Sequence, residues 1–140
     1  MRWVLGTVLI AAACSRGDVP LSADVRPHLN APFTLTVGQS GVLDEPAVTV
    51  TFTAVTGDSR CAIDVVCVWA GDAVVRLRLH VGPPDGDGPD ITADLHTTLE
   101  PRSTPWGVSY ELRLLALSPE PRVYPPPTEP YRATLVMESR

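Results

Sequence analysis

The chain has 140 residues, a formal net charge of −5 and 44% hydrophobic residues, enough for one domain with a core, so wholesale disorder is excluded. Fifteen prolines and ten glycines spread along it exclude a long helical bundle or coiled coil. Its acidic balance, with all 11 basic residues arginine, lacks the basic footprint of a nucleic-acid binder.

Met1-Arg2-Trp3 leads into an apolar run from Val4 to Ala13, followed by Cys14. A basic start, a short apolar run and small residues before a cut site make a secretory signal over residues 1–13. The run is too short to span a bilayer, which takes about 20 apolar residues. Removing it deletes Arg2 and leaves a formal charge of 10 − 16 = −6. Ser15 to Pro32 is polar, proline-punctuated and aperiodic, so residues 14–32 are expected to be a flexible tether headed by Cys14. Arg16-Gly17-Asp18 spells an integrin-binding tripeptide, short enough to be a chance match.

Ala11-Ala12-Ala13-Cys14 resembles the lipobox of bacterial lipoproteins, departing from it in Ala11, where leucine is most common. The resemblance implies that Cys14 is acylated and becomes the first mature residue. Each buried methylene contributes about 0.8 kcal/mol, so several acyl chains hold a domain stably on a membrane. The same resemblance favours the outer membrane if the organism has one, because Ser15 and not Asp follows the cysteine. The alternative is an ordinary signal peptide.

From Phe33 onward, period-two alternation dominates. Phe33, Leu35 and Val37 alternate with threonines, as do Val48, Val50, Phe52 and Ala54. Val75, Leu77, Leu79 and Val81 alternate with Arg76, Arg78 and His80. Tyr110, Leu112 and Leu114 form another run, and Tyr131, Ala133, Leu135 and Met137 the last. Ile91 to Thr97 is a weaker strand candidate and Gly41 to Leu43 a short one. Turn chemistry bounds the runs at residues 38–41, 44–46, 82–89, 101–107 and 119–130. Tyr110 to Leu117 is the best helical competitor, but its alternation and Pro119 suit a strand better. The expected fold is all-β, a single antiparallel β-sandwich of immunoglobulin-like general build over residues 33–139. Six prolines between Pro119 and Pro130 are expected to stiffen a crossover between the two sheets, in preference to forming a docking strip.

With Cys14 given to lipid, Cys61 and Cys67 remain, and an exported pair is expected to be oxidised. Closing seven residues would contribute about 2 kcal/mol on the chain-entropy model. A redox-active pair is the first alternative, although five residues intervene where such motifs have two. A zinc site is the second, although His28, His80 and His96 are not closely spaced. Asp58 and Ser59 are suited to capping a turn at Arg60. Trp69 suits an apolar plug by the bridge, and Gly71 a bulge or positive φ. Ile63, Val65 and Val66 are costly to leave in water, so loop 61–67 is expected to fold back as a lid. Its alternative is a braced inhibitor loop with Ala62 to Val66 as the reactive segment.

Asp58-Ser59-Arg60-Cys61 through Cys67-Val68-Trp69-Ala70-Gly71 resembles a D-S-R-C-P-x-x-V-x-C-x-W-x-G signature of small uncharacterised bacterial lipoproteins. The match covers Asp58 to Ala73, and Ala62 departs from the usual proline. The resemblance implies a lipoprotein with an all-β domain and no particular activity.

Other constellations are weaker. Asp85, Asp87 and Asp90 alternate with glycines like the start of a calcium loop, but the later bidentate acid is missing and Pro89 breaks the pattern. Arg76 and Arg78, with Arg113, make a candidate anion patch, unless Glu111, Glu138 or other acids pair with them. Ser109, His96 and Asp94 supply the residue types of a hydrolase triad without any supporting motif. His80 reads as a solvated strand residue.

No catalytic residue and no cofactor is expected. The sequence reads as an envelope lipoprotein, membrane-bound through its N-terminal lipid, carrying a non-catalytic binding or structural module. Its partner would be an envelope protein or surface ligand and not a nucleic acid. Arg60, Ile63, Val65 and Trp69 are the candidate interaction residues. The alternatives are a protease inhibitor using loop 61–67 and a weak metal-binding or hydrolase domain.

Overall fold

The computed structural model describes residues 24–140; the signal segment, Cys14 and most of the tether lie outside the described residues. Eight strands follow in order: β1 (Phe33–Thr36), β2 (Ser40–Leu43), β3 (Val48–Asp58), β4 (Ala73–Val81), β5 (Asp90–His96), β6 (Ser103–Trp106), β7 (Tyr110–Ser118) and β8 (Arg132–Ser139). They form two antiparallel sheets of four, ordered β2-β3-β4-β5 and β1-β8-β7-β6. The all-β sandwich read from alternation is the observed fold.

Alternation builds the core directly. Val48, Val50 and Phe52 of β3, and Val75, Leu77 and Leu79 of β4, are buried against Leu35, Leu112, Leu114, Leu135 and Met137 of the opposite sheet. The intervening Arg76 and Arg78 face outward. Period-two patterning over one half-buried face therefore places one sheet on the other.

Two bulges adjust this plan. In β7 the pairing with β8 shifts between Leu114 and Ala116, which leaves Leu115 and Ala116 both outward and returns Leu117 to the core. In β3 the register against β4 slips after Phe52 and again after Val55. An extra residue on one strand reverses which neighbours face inward and increases local twist.

Three sequence expectations need correction. Residues 101–107 were expected as a turn, yet Ser103–Trp106 is β6, paired with β7 through Thr104 and Leu112. A four-residue edge strand that contains a proline carries almost no alternation to detect. The proline-rich segment is not a crossover: it joins β7 to β8, neighbours in one sheet. The chain instead changes sheets between β1 and β2 and between β5 and β6.

The third concerns the tether, whose described part is bound to the domain. Val25 pairs in parallel with Gly41: its N–H donates to Ser40 O at 3.0 Å, and its carbonyl accepts Val42 N–H at 2.9 Å. Asn30 bonds the Ser139 backbone at 2.9 Å, and Val25 and Leu29 pack on the core. Residues 25–32 are therefore packed as part of the domain and not a free tether. Gly41 permits this approach, since a Cβ there would lie 3.1 Å from Pro27 Cγ and 3.3 Å from the Phe33 ring.

Candidate functional site

Two hairpins of this sandwich have connections far longer than a hairpin needs. Residues 59–72 join β3 to β4, and residues 119–131 join β7 to β8. Hairpin loops usually take two to five residues, and longer ordered ones tend to carry function. Both leave the same end of the sandwich and are bonded to each other.

The join starts at Asp58 and Arg60. Arg60 Nε and Nη2 donate to the two Asp58 oxygens at 2.9 and 2.7 Å. Its Nη1 donates to Leu117 O at 2.7 Å, and Nη2 also to Pro119 O at 2.9 Å. Tyr131 O–H completes the cluster on Asp58 at 3.0 Å. The side chains of Arg60 and Asp58 are only 12% and 14% exposed. Burial pushes the Asp58 carboxyl up, but the Arg60 and Tyr131 hydrogen bonds outweigh it and hold it below the usual range. Arg60 was a candidate contact residue; it is instead an internal strut with its donors committed to the fold.

Beyond this strut the β3–β4 ladder continues past the strand ends, with Ser59 N–H on Asp72 O at 2.7 Å and Cys61 N–H on Ala70 O at 2.9 Å. The Ser59 hydroxyl caps Asp72 N–H, and Asp58 accepts Arg60 N–H, so both act on backbone amides as their residue types suggest. Cys61 and Cys67 are joined as a disulfide, with Cα atoms 5.9 Å apart. Inside it, Ile63 N–H donates to Pro121 O at 3.0 Å, and the Asp64 carboxylate accepts Val123 N–H at 2.9 Å and Tyr124 N–H at 3.0 Å. These amide bonds hold the Asp64 carboxyl below its ordinary range. The proline-rich loop, unable to offer amides at six positions, presents two of those it has to one carboxylate.

Gly71 allows the loop to turn back into β4. Its φ is +68°, and a Cβ there would sit 1.8 Å from Ser59 O. Gly71→Ala is therefore expected to cost roughly 2 kcal/mol from the left-handed backbone alone, and to open the Ser59–Asp72 pairing. Urea denaturation checks the first effect, and amide exchange at Ser59 the second.

The loop is not a lid. Val66, Val68 and Trp69 are 102%, 90% and 81% exposed, and Ile63 and Val65 are about half exposed. Trp69 is not the expected plug by the disulfide. The docking bonds come from backbone and Asp64, leaving the apolar side chains to face out. Val123 and Tyr124 on the neighbouring loop are exposed as well. A cleft of about 440 Å³ lies between Ile63 and Pro119, Pro125 and Pro127. A second, of about 320 Å³, separates Trp69 from Leu99 over Gly71 and Asp72.

Asp72 lines that second cleft and is bonded behind it to His96. His96 Nδ1 bonds Asp72 Oδ2, while Asp72 Oδ1 accepts Thr98 N–H at 2.9 Å and Leu99 N–H at 3.3 Å. Burial opposes the Asp72 charge, but the His96 bond and the two amides win and lower its pKa to about 2. A carboxyl depressed in the folded state contributes stability above its unfolded pKa and loses it as pH falls through the folded value. Wild type should therefore exceed Asp72→Asn by roughly 1 kcal/mol at pH 5, after allowance for solvent screening. The difference should shrink between about pH 4 and pH 2, as read by urea denaturation at each pH.

The other predicted sites disperse. Arg76 is held by Asp94 through bonds of 2.8 and 2.7 Å, and Arg78 lies 3.8 Å from Asp90. Arg113 is paired with Glu138 and Glu111. Cross-strand acids thus neutralise the candidate anion patch. Asp90 also bonds His80 Nδ1 at 2.8 Å, and that histidine is largely covered and not solvated. Asp85 and Asp87 sit at the β4–β5 tip, at the opposite end from the disulfide. No group of three or more His, Cys, Asp or Glu side chains among the described residues is arranged to hold a metal. The Ser109, His96 and Asp94 triad is not assembled, because Asp94 serves Arg76 and His96 serves Asp72.

Sequence reasoning missed Asp64, Asp72, Leu99 and Tyr124. The pairing of two long loops that brings them together has no local pattern in the chain. No family model, curated protein or solved structure matches this chain.

Proposed function

We propose that the chain is an exported lipoprotein, anchored in the cell envelope by acyl chains on Cys14, whose β-sandwich is a non-catalytic binding module. Its contact surface is the loop end built by residues 61–70 and 119–130. The observation that carries this reading is the placement of Val66, Val68 and Trp69 in water on a loop fixed by a disulfide and an internal arginine. Exposed apolar groups held rigidly lose little entropy on binding, which suits recognition. The inhibitor alternative needs Ala62 to Val66 extended, whereas Val65 N–H bonds back to Ala62 O at 3.3 Å and closes a turn.

Two measurements test the proposal. Cys14→Ser should release the chain from the membrane fraction and abolish globomycin-sensitive processing; unchanged fractionation and processing would refute the anchor. A photo-crosslinking residue in place of Val66 should trap an envelope component. The same residue in place of Asp87, at the far end, should not, and equal yields would overturn the assignment of the surface.

A further inference from the structure

We propose that the apolar edge of the disulfide loop, Val66, Val68 and Trp69, is a membrane-docking wedge that enters the lipid bilayer on which Cys14 is held. The inference rests on the reading of Cys14 as lipidated, and it names the bilayer as the occupant of the loop end.

The chemistry of the edge fits lipid. Val65-Val66-Cys67-Val68-Trp69-Ala70 contains no charged side chain, and its one aromatic is the residue type most at home between headgroups and acyl chains. Val123 and Tyr124, clamped on Asp64, are exposed at the same end of the sandwich. The polar groups beneath are bonded internally: Arg60 to two carbonyls, Asp58 to Arg60 and Tyr131, and Asp64 to amides. Lowering this edge into a bilayer therefore leaves the Arg60–Asp58 pair below it intact and the Asp64 carboxylate held by two amides.

The chain also reaches. Val25 runs parallel to β2, which points away from the disulfide end, so the polypeptide enters the domain from the side of that end. Gly41, its partner, pairs with Val50 of β3, opposite Leu79, and Leu79 back to Ala70 at the loop edge is nine residues, about 30 Å. Asp24 lies ten positions after Cys14, a span of chain that can extend to about 35 Å. Anchor and loop edge can thus lie in one plane, and the tether keeps the wedge at high effective concentration over the surface. A formal charge of 10 − 16 = −6 for residues 14–140 makes a zwitterionic surface the favoured one, since anionic lipid would repel the domain.

The test couples residues 14–140, which retain every described residue, through Cys14 to a maleimide-bearing lipid in phosphatidylcholine vesicles. Cys61 and Cys67 being bonded to each other, Cys14 is the free thiol, and the coupling supplies the anchor whether or not a cell acylates it. In a Trp106→Phe background, Trp69 emission should shift to the blue and be quenched by brominated acyl chains. If that variant does not fold, the difference between the unsubstituted chain and Trp69→Phe reads the same quantity. Val66→Ser and Val68→Ser should each lower the ratio of docked to undocked chain about tenfold. Trp69 emission that stays water-like and insensitive to bromine on coupled vesicles would overturn the wedge, while the Cys14→Ser fractionation still judges the lipid anchor separately. Crosslinks from position 66 that reach protein and never lipid in intact envelopes would overturn it as well.

Discussion

Arg60→Ala is expected to lower the stability of the domain by about 3 kcal/mol, because it leaves the buried Asp58 charge without its partner and frees the carbonyls of Leu117 and Pro119. Bidentate pairing to Asp58 raises the affinity of the guanidinium for its proton, while Asp58 is held ionised below its usual range. The two therefore remain charged together through the neutral range. Most of the loss belongs to the stranded carboxylate, so Asp58→Asn with Arg60→Met, which removes both charges and keeps the volume, should recover a large part of it. Urea denaturation of the wild type and the two variants checks the order. A single substitution as harmful as the unpaired reading requires, with no recovery in the double variant, would point to lost packing instead. The same change should loosen the joint between the two long loops, seen as faster amide exchange at Ile63, Val123 and Tyr124, whose N–H groups cross that joint.

Phe52→Ala should cost about 3–5 kcal/mol, a large share of a domain's typical stability of about 5–15 kcal/mol. Phe52 is fully buried in the centre of β3, and its own backbone ties the sheet edge through Gly38 N–H at 2.7 Å and Gln39 O at 3.1 Å. Truncation leaves a cavity between the sheets that those backbone bonds keep from closing, since the strand cannot move inward without giving them up. Thermal or urea unfolding measures the loss. Leu115→Ala is the contrast: its side chain, on the outer face of β7, is part exposed, and the change should stay within about 0.5 kcal/mol. Comparable losses at both positions would mean that Leu115 does not face outward.

The different visibility of these residues in the chain has a physical basis. Alternation reports one property, which face of a strand meets apolar neighbours, so Val48, Val50, Phe52, Leu77 and Leu79 could be assigned inward without knowing what they meet. A bulge breaks that logic after Leu114, where one extra residue puts Ala116 outward and Leu117 inward. Trp69 fails it altogether. Its hydrophobicity argues for burial, but the backbone around it is committed through Cys61 N–H to Ala70 O and through Gly71 to Ser59, and that path carries the indole into solvent. Arg60 errs in the opposite direction. A charged residue beside a loop cysteine looks like a contact group, and only the arrival of Leu117 and Pro119, nearly sixty residues away, makes it a buried strut.

Composition and local order alone determined a good deal: an all-β chain, the burial pattern of its main strands, a cysteine pair free to close a small loop, and acids available across the strands from Arg76 and Arg113. These follow from period-two burial and residue chemistry, which act over a few neighbours. The tertiary structure decided how the two long connections meet, that Asp64 clamps the proline-rich loop, that Asp72 joins His96, and that valines and a tryptophan stand in water at that end. Each depends on contacts between distant parts of the chain. Those contacts satisfy backbone amides and join one largely covered carboxylate–guanidinium pair, for which a linear pattern holds no period to read.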